Sequence, residues 1–146
     1  MEGRTLGLDV GDRWIGVALS DALGILASPL TRIERTDDEA AVKAIAELVW
    51  KHEVRAVVAG LPYSMDGNVG QQAVRVQDFL RKLAQSLSVP IETSDERLST
   101  VAATQGMIEA GVSRESRKGK IDAAAAALIL QWYLDRLRRE QSESQG

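Results

Sequence analysis

The sequence predicts a single α/β domain, built on a mixed five-stranded sheet with helices on both faces. Three apolar, strand-like segments come first in the chain of 146 residues, and helical and strand-like segments then alternate. An antiparallel meander followed by such alternation is typical of a sheet that is part antiparallel and part parallel. The length suits one domain with a substantial core, and no internal repeat or low-complexity linker divides the chain.

The first three strands form the predicted meander. Residues 6–10 and 14–20 are apolar runs joined by the short turn Gly11-Asp12-Arg13, which is the pattern of a β-hairpin. Residues 26–33 can add a third antiparallel strand. Pro29 within that run favours an edge position or a bulge, because proline cannot donate a hydrogen bond to a neighbouring strand.

Helices and buried strands alternate in the middle of the chain. Apolar residues at helical spacing predict helices over residues 37–52 and 71–87, the first with capping and acidic first-turn signals at its start. The short apolar run at residues 56–60 is typical of a strand buried in a parallel sheet, and residues 90–93 are predicted to form a last short strand. These four segments supply the parallel part of the predicted fold.

Two further helices are predicted in the C-terminal third. One covers residues 100–110 and ends at Gly111, and the other covers residues 122–139 after a basic loop. The polar residues 141–146 are expected to form a frayed tail, so the single domain is expected to span residues 1–140.

Composition excludes several classes of function. The chain has no cysteine, which excludes disulfides and thiolate metal sites and fits a reducing compartment, and its one histidine argues against zinc. It shows neither an export signal nor an apolar run long enough to cross a bilayer, so a cytoplasmic location without membrane contact is expected. The net charge of −3 argues against binding nucleic acid through overall charge alone, but permits a local basic surface.

Three acidic residues at junctions between predicted elements are the candidate catalytic and metal-binding residues. Asp9 lies where an apolar strand meets a glycine turn, Glu96 follows the last short strand, and Asp122 opens an alanine-rich helical run. The small residues 123–127 would let that helix lie close to the sheet and bring Asp122 near the strand ends. Convergent carboxylates suit Mg²⁺ or Mn²⁺. Each acid also has a simpler explanation, as a turn residue, a charged turn or a helix cap.

Residues near these acids could contact phosphate. Arg13 and Arg97 adjoin two of the acids, and a basic run that includes Arg117 and Lys118 precedes the third. A solvated charged loop is the alternative explanation of that run. The backbone N–H groups of a loop that contains Gly67 and Gly70 could also hold a phosphate, or the loop could be an ordinary connection. Three further residues could support the acids without binding metal directly: Asp95, Ser99 and Thr100.

Four motifs, in order along nearly the whole chain, resemble those of a known family. They are GLDVGDRWIGVALSD at residues 7–21, GLP with DGNVG between residues 60 and 70, DERLST at residues 95–100 and KIDAAA at residues 120–125. These stretches are similar to the YqgF-type family, the Holliday-junction-resolvase-like nucleases of pre-16S ribosomal RNA. Trp14 departs from the family pattern, which more often has arginine or lysine at this position.

The resemblance implies a ribonuclease H-like fold and a bacterial cytoplasmic nuclease that matures the 5′ end of 16S ribosomal RNA. The acids of the family map to Asp9, Glu96 and Asp122, and no clear fourth acid is present. The corresponding mechanism is metal-assisted hydrolysis, with Asp9 bridging two divalent ions about 3.5–4 Å apart and each other acid completing the shell of one ion. The nucleic acid would be held by basic residues and loop N–H groups: Arg13, Arg97, Arg117, Lys118, Gly67 and Gly70.

Other functions remain open at this point. The chain could be a Holliday-junction-type DNA resolvase, which would act as a symmetric homodimer, whereas RNA trimming can be done by a monomer. It could instead be a nucleic-acid-binding or regulatory factor with little catalysis. The first motif also resembles the phosphate-binding turn of actin-like ATPases and sugar kinases, but those proteins need a second lobe that this chain is too short to supply.

Overall fold

The computed structural model describes residues 3–61, 70–95 and 114–145. These residues contain a five-stranded sheet in the order β3-β2-β1-β4-β5. The strands are β1 Arg4–Val10, β2 Trp14–Ser20, β3 Ala27–Glu34, β4 Val54–Leu61 and β5 Ile91–Asp95. Strands β1, β2 and β3 are antiparallel neighbours, and β4 and β5 join β1 in parallel. The predicted mixed sheet is therefore confirmed, with β1 at its centre.

Strand β3 lies at the edge of the sheet, as Pro29 predicts. Its pairing with β2 shifts register between Val17 and Ala18, where the partners are Thr31 and Pro29. Leu30 is the residue passed over at this irregularity. The proline thus lies both on an edge strand and at a bulge, the two settings in which a missing N–H is tolerated.

One face of the sheet is covered by α1 (Asp38–Lys51) and α2 (Gln71–Ser86). Asp37 caps α1, since its Oδ1 accepts a hydrogen bond from the backbone N of Ala40 at 2.7 Å. The main hydrophobic core lies between these helices and the sheet, with Ile45 and Phe79 fully buried against strand residues such as Leu8. Both helices lie where the apolar spacing predicts them.

The other face is covered by the long helix α3 (Arg114–Gln145). A second core forms here, where Ile129 and Leu130 pack against Ala18 and Val58 of the sheet. Gly7 of β1 allows the close approach: a Cβ built there would lie 2.8 Å from Leu130 Cβ and 2.9 Å from the Ala126 carbonyl oxygen. Helices on both faces are therefore confirmed.

The start of α3 corrects the sequence interpretation. Residues 114–120, expected to be a basic loop, are helical, and Asp122 lies eight residues inside the helix instead of opening it. Arginine, lysine and glutamate are good helix formers, and the single glycine in this stretch costs only about 1 kcal/mol relative to alanine. The helix also continues to Gln145, so most of the expected frayed tail is helical. The helix predicted at residues 100–110 lies outside the described residues.

Candidate active site

Asp9 is presented on the α3 face of the central strand. Side chains alternate along a strand, so Leu8 and Val10, which are buried in the core beneath α1 and α2, point away from Asp9. Gly7, which has the same orientation as Asp9, is in contact with α3. Asp9 itself is half-buried and lies one residue before the end of β1. The sequence therefore delivers a carboxylate to the α3 side of the sheet near the end of its central strand.

Gly16 lies next to both Asp9 and Asp122. In the β1–β2 ladder Asp9 pairs with Gly16, and directly opposed residues of antiparallel strands have Cα atoms about 4.5–5.5 Å apart. A Cβ built on Gly16 would lie 1.8 Å from the carbonyl oxygen of Asp122, so the backbone of α3 rests on β2 at this point. Two of the three predicted acids are thereby brought together by one glycine.

Arg32 of β3 extends this arrangement across the sheet. It pairs with Gly16 in the β2–β3 ladder, and its Nη1 lies 3.5 Å from Oδ2 of Asp122. Both side chains are half-buried. The guanidinium also stacks on the indole of Trp14, with its Cζ 3.7 Å from the ring centroid. Arg32 is thus held between an aromatic face and a candidate catalytic carboxylate, where water screens the ion pair only in part.

Sequence reasoning missed Arg32. Its place beside Asp122 depends on its pairing with Gly16, which contacts the Asp122 backbone, and this pairing register differs from the one on the other side of the shift between Val17 and Ala18. A periodicity argument cannot locate such a register shift. The same geometry gives Trp14 a role, because an arginine or lysine at this position would repel the Arg32 guanidinium that the indole here supports.

The remaining predicted residues are placed in part. Arg13 is exposed in the hairpin turn, with its Cζ 5.8 Å from the Trp14 ring centroid. Gly70 is the N-cap of α2, and a Cβ built there would meet nothing within 4 Å. The backbones of Arg117 and Lys118 lie in α3, five and four residues before Asp122. Five predicted site residues fall outside the described ranges: Glu96, Arg97, Ser99, Thr100 and Gly67.

Strand direction places Asp95 at the carboxyl edge of the sheet. Strands β1, β4 and β5 are parallel, so their carboxyl ends lie at the same edge of the sheet. Asp95 is the last residue of β5 and pairs with Leu61, the last residue of β4. Glu96 follows directly, while its own position is not described. Among residues 3–61, 70–95 and 114–145, no group of three or more potential ligands of the His, Cys, Asp and Glu types comes together.

Asp9 and Asp122 have the donor chemistry that a hard divalent cation requires. Both offer only carboxylate oxygens, which suit Mg²⁺ and Mn²⁺ better than zinc or copper. Each side chain is half-buried, so neither is fully hydrated nor closed off from ions in solution. The described part of the site therefore fits such a metal with two ligands, and a third ligand from Glu96 remains a prediction.

The sheet order, the helices on both faces and the acid on the central strand define a ribonuclease H-like fold of the resolvase type. Among solved structures, T. thermophilus RuvC in complex with a Holliday junction substrate is similar, with a TM-score of 0.57 and 16% identity over 92% of this chain and 96% of that one. The fowlpox virus Holliday junction resolvase gives a TM-score of 0.56 and 10% identity over 92% and 99%. At these identities the likeness establishes the fold.

Sequence comparison establishes the family. The family model for RuvX, described as Holliday junction resolvase, matches residues 3–136, and the chain belongs to that family. A relative from Myxococcus xanthus is 51% identical over 132 residues, covering 90% of this chain and 87% of its own. One from Clostridium acetobutylicum is 47% identical over 132 residues, covering 90% and 98%. Both carry the name "Putative pre-16S rRNA nuclease". In the described part of the chain, no helix is long and apolar enough to cross a membrane.

Proposed function

We propose that this protein is a divalent-metal-dependent endonuclease that hydrolyses phosphodiester bonds of nucleic acid. The observation that carries the proposal is the contact of Gly16, the strand partner of Asp9, with the Asp122 backbone, which supports a site formed by these two acids near the end of the central strand. Membership of a resolvase family and the nuclease name of its relatives support the same reaction class.

Asp9, Asp122 and Glu96 would hold Mg²⁺ or Mn²⁺. Bound there, such ions supply an activated water and stabilise the charge that develops on the phosphate and the leaving oxygen. The carboxylates would hold the ions in position beside the phosphate. The contact of Gly16 with the Asp122 backbone fixes the spacing of two of these carboxylates without a flexible loop. Asp95, Ser99 and Thr100 are proposed to support the ligands without binding the metal directly.

Arg32 is proposed to contact the phosphate beside the scissile bond. Its guanidinium has five N–H donors, so it can keep one toward Asp122 and direct others to a phosphate oxygen. Stacking on Trp14 limits the orientations that Arg32 can adopt, which lowers the entropy lost on binding. The backbone of the nucleic acid would also be held by Arg13, Arg97, Arg117 and Lys118, and by the N–H groups of Gly67 and Gly70.

The preferred substrate is the 5′ end of pre-16S ribosomal RNA, processed in the cytoplasm during ribosome biogenesis. The names of the 51% and 47% identical relatives favour this substrate. A four-way DNA junction is the second candidate, favoured by the description of the family model, and two symmetric cuts would then call for a homodimer.

A cleavage panel tests this proposal. A pre-16S RNA fragment, single-stranded RNA and a four-way DNA junction are each incubated with Mg²⁺, with Mn²⁺ or with EDTA. Cleavage of the precursor near the mature 5′ end, dependent on the metal, is the expected result. Cleavage of the junction alone would select the resolvase, and binding without cleavage of any substrate would overturn the enzyme proposal in favour of a binding factor.

A further inference from the structure

Two adjoining grooves lie at the end of the sheet where β1 and β4 begin, opposite to the end that carries Asp9. They meet at Lys51 and Glu53, which line both. One groove, of about 610 Å³, has an apolar floor that includes Leu87, and Trp50 forms part of its wall. The other, of about 620 Å³, is lined mainly by basic residues: Arg4, Lys51, His52 and Arg55. Arg4 begins β1 and Asp9 lies five residues along it, so the basic groove is about 17 Å from the catalytic edge.

The wall of the first groove is unusual because Trp50 is 85% exposed. A large aromatic side chain on a soluble protein normally buries most of its surface, and one left in solvent beside a groove is available to a ligand. Trp50 is followed directly by Lys51 in the last turn of α1. The exposed indole of Trp50 and the positive charge of Lys51 are therefore neighbours in the sequence and line the same groove.

The second groove carries positive charge that the described residues do not neutralise. Arg4, Lys51 and Arg55 form no ion pair with any other residue in the described ranges, and Glu53 is the single acid that lines this groove. The chain as a whole has a net charge of −3, so this basic surface is a local feature. Such a surface attracts a polyanion even when overall charge does not.

The backbone holds the basic groove in shape. Gly3 has a φ of +149°, and a Cβ built there would lie 2.1 Å from Cδ of Arg55, so the aliphatic stem of Arg55 lies across Gly3. The backbone N of Gly3 donates to the carbonyl oxygen of Ala22 at 3.0 Å, which ties the start of β1 to the loop after β2. Glu53 takes up a left-handed conformation, with φ of 54°, as the chain turns from α1 into β4.

We propose that these grooves form a second binding site, for a single-stranded RNA segment of the substrate outside the bond that is cut. A base would stack on Trp50 while the flanking phosphates contact Lys51, Arg55 and Arg4. Stacking on an exposed aromatic with phosphates on unpaired cations is how proteins bind single strands without reading their sequence. The proposal rests on the nuclease function proposed above, because it assumes an RNA substrate that extends beyond the catalytic edge.

The test is equilibrium binding of a fluorescent single-stranded RNA in EDTA, where cleavage is prevented. Trp50→Ala should weaken binding about tenfold, as expected for loss of one stacked base. The matched control is Trp132→Ala, since Trp132 is also exposed, at 61%, but lies on α3. A Lys51→Ala/Arg55→Ala variant should reduce the slope of log affinity against log salt by about 0.7 per charge removed. Arg139→Ala, at an exposed position on α3, is the control for charge.

Each outcome separates this site from the catalytic one. Equal affinity in all variants, with metal-dependent cleavage intact in the wild type, would overturn the second site and leave the nuclease standing. Groove-dependent binding without cleavage under any metal condition would refute the nuclease and support the RNA site. Binding of an acidic peptide, and not of RNA, that depends on Trp50 would assign the grooves to a protein partner and overturn the proposal.

Discussion

The carbonyl oxygen of Asp122 occupies the space in which a side chain of Gly16 would begin, since a Cβ built on Gly16 would lie 1.8 Å from it. No real Cβ can approach an oxygen so closely, so helix α3 can lie here only because position 16 is glycine. Asp9 is the strand partner of Gly16. One missing side chain therefore sets the spacing of two candidate metal ligands that are 113 positions apart in the sequence.

Replacing Gly16 with alanine should separate the two acids. The added methyl group must push α3 away from β2, and overpacking of this kind typically costs about 1–3 kcal/mol of unfolding free energy. Cleavage should fall more than stability does, because catalytic groups displaced by about 1 Å lose on the order of 10² in rate. Urea unfolding and cleavage kinetics measure both effects.

Gly70→Ala is the control for this substitution. A Cβ there would meet nothing within 4 Å, and its φ of −89° is open to any residue, so the loss should stay below about 1 kcal/mol, the cost of a poorer helix cap. Equal losses of stability in both variants, or full activity in Gly16→Ala, would show that the glycine contact does not position the site.

Arg32→Ala should impair cleavage while leaving the fold nearly unchanged. The ion pair with Asp122 is about a third exposed on each side, so its contribution to stability is screened and should be within about 1 kcal/mol. Removal of a donor directed at the reacting phosphate should lower kcat by about 10². Arg138→Ala, which also breaks an ion pair with an aspartate on α3, should keep the wild-type rate. A loss confined to KM would place Arg32 in substrate binding alone.

Acid should weaken the fold in part through Asp38. Hydrogen bonds from Arg35 and Lys82, at 2.8 and 2.7 Å, hold the pKa of the Asp38 carboxyl below its ordinary value of 3.8. A carboxyl with a lowered folded-state pKa stabilises the fold above its unfolded pKa, and this stabilisation is lost as the pH falls through the folded value.

Asp38→Asn should therefore lower the free energy of unfolding more at pH 7 than at pH 3. Urea unfolding at the two pH values, for wild type and variant, measures the difference. Adding Lys82→Ala to Asp38→Asn should change this pH dependence little further, because the two residues act as a pair. An equal loss at both pH values would contradict the account.

Tyr133 offers a spectroscopic check on the docking of α3. Burial, together with a hydrogen bond to Glu92, raises the pKa of the Tyr133 phenol to about 12. Because the pKa of Tyr133 is higher in the folded state than its unfolded value of 10, the neutral phenol stabilises the fold fully at pH values below 10. This contribution is lost as the pH rises from 10 to about 12. An ultraviolet titration should show a phenolate signal near pH 12 that is absent in Tyr133→Phe. Ionisation of Tyr133 near pH 10 would mean that α3 does not bury this ring.

Much of the fold was predictable from sequence because its signals are local. The hairpin, the helices α1 and α2 and the edge position of β3 each follow from apolar spacing, a cap at Asp37 or a proline at residue 29. The start of α3 was predicted wrongly, because a run of charges with one glycine resembles a loop until tertiary packing against the sheet decides in favour of helix.

The candidate site was predictable only in part. Asp9 and Asp122 stand in recognisable motifs, and the structure brings them together. Arg32 carries no such local signal, since its place beside Asp122 depends on strand register across a bulge and on the close approach that Gly16 permits. Contacts of this kind arise from tertiary structure, so a pattern along the chain cannot reveal them.

The most direct test of the central claim is the Mn²⁺-dependent cleavage rate of the pre-16S fragment by wild type, Asp9→Asn and Asp122→Asn. Asp12→Asn is the matched control, because Asp12 lies three residues from Asp9 but forms an exposed ion pair with Arg75. The account predicts that both site variants lose about 10³ in rate, because the bound metal would no longer stabilise the transition state by several kcal/mol. The control should stay within about twofold of the wild-type rate. Cleavage by Asp9→Asn at the wild-type rate would contradict it.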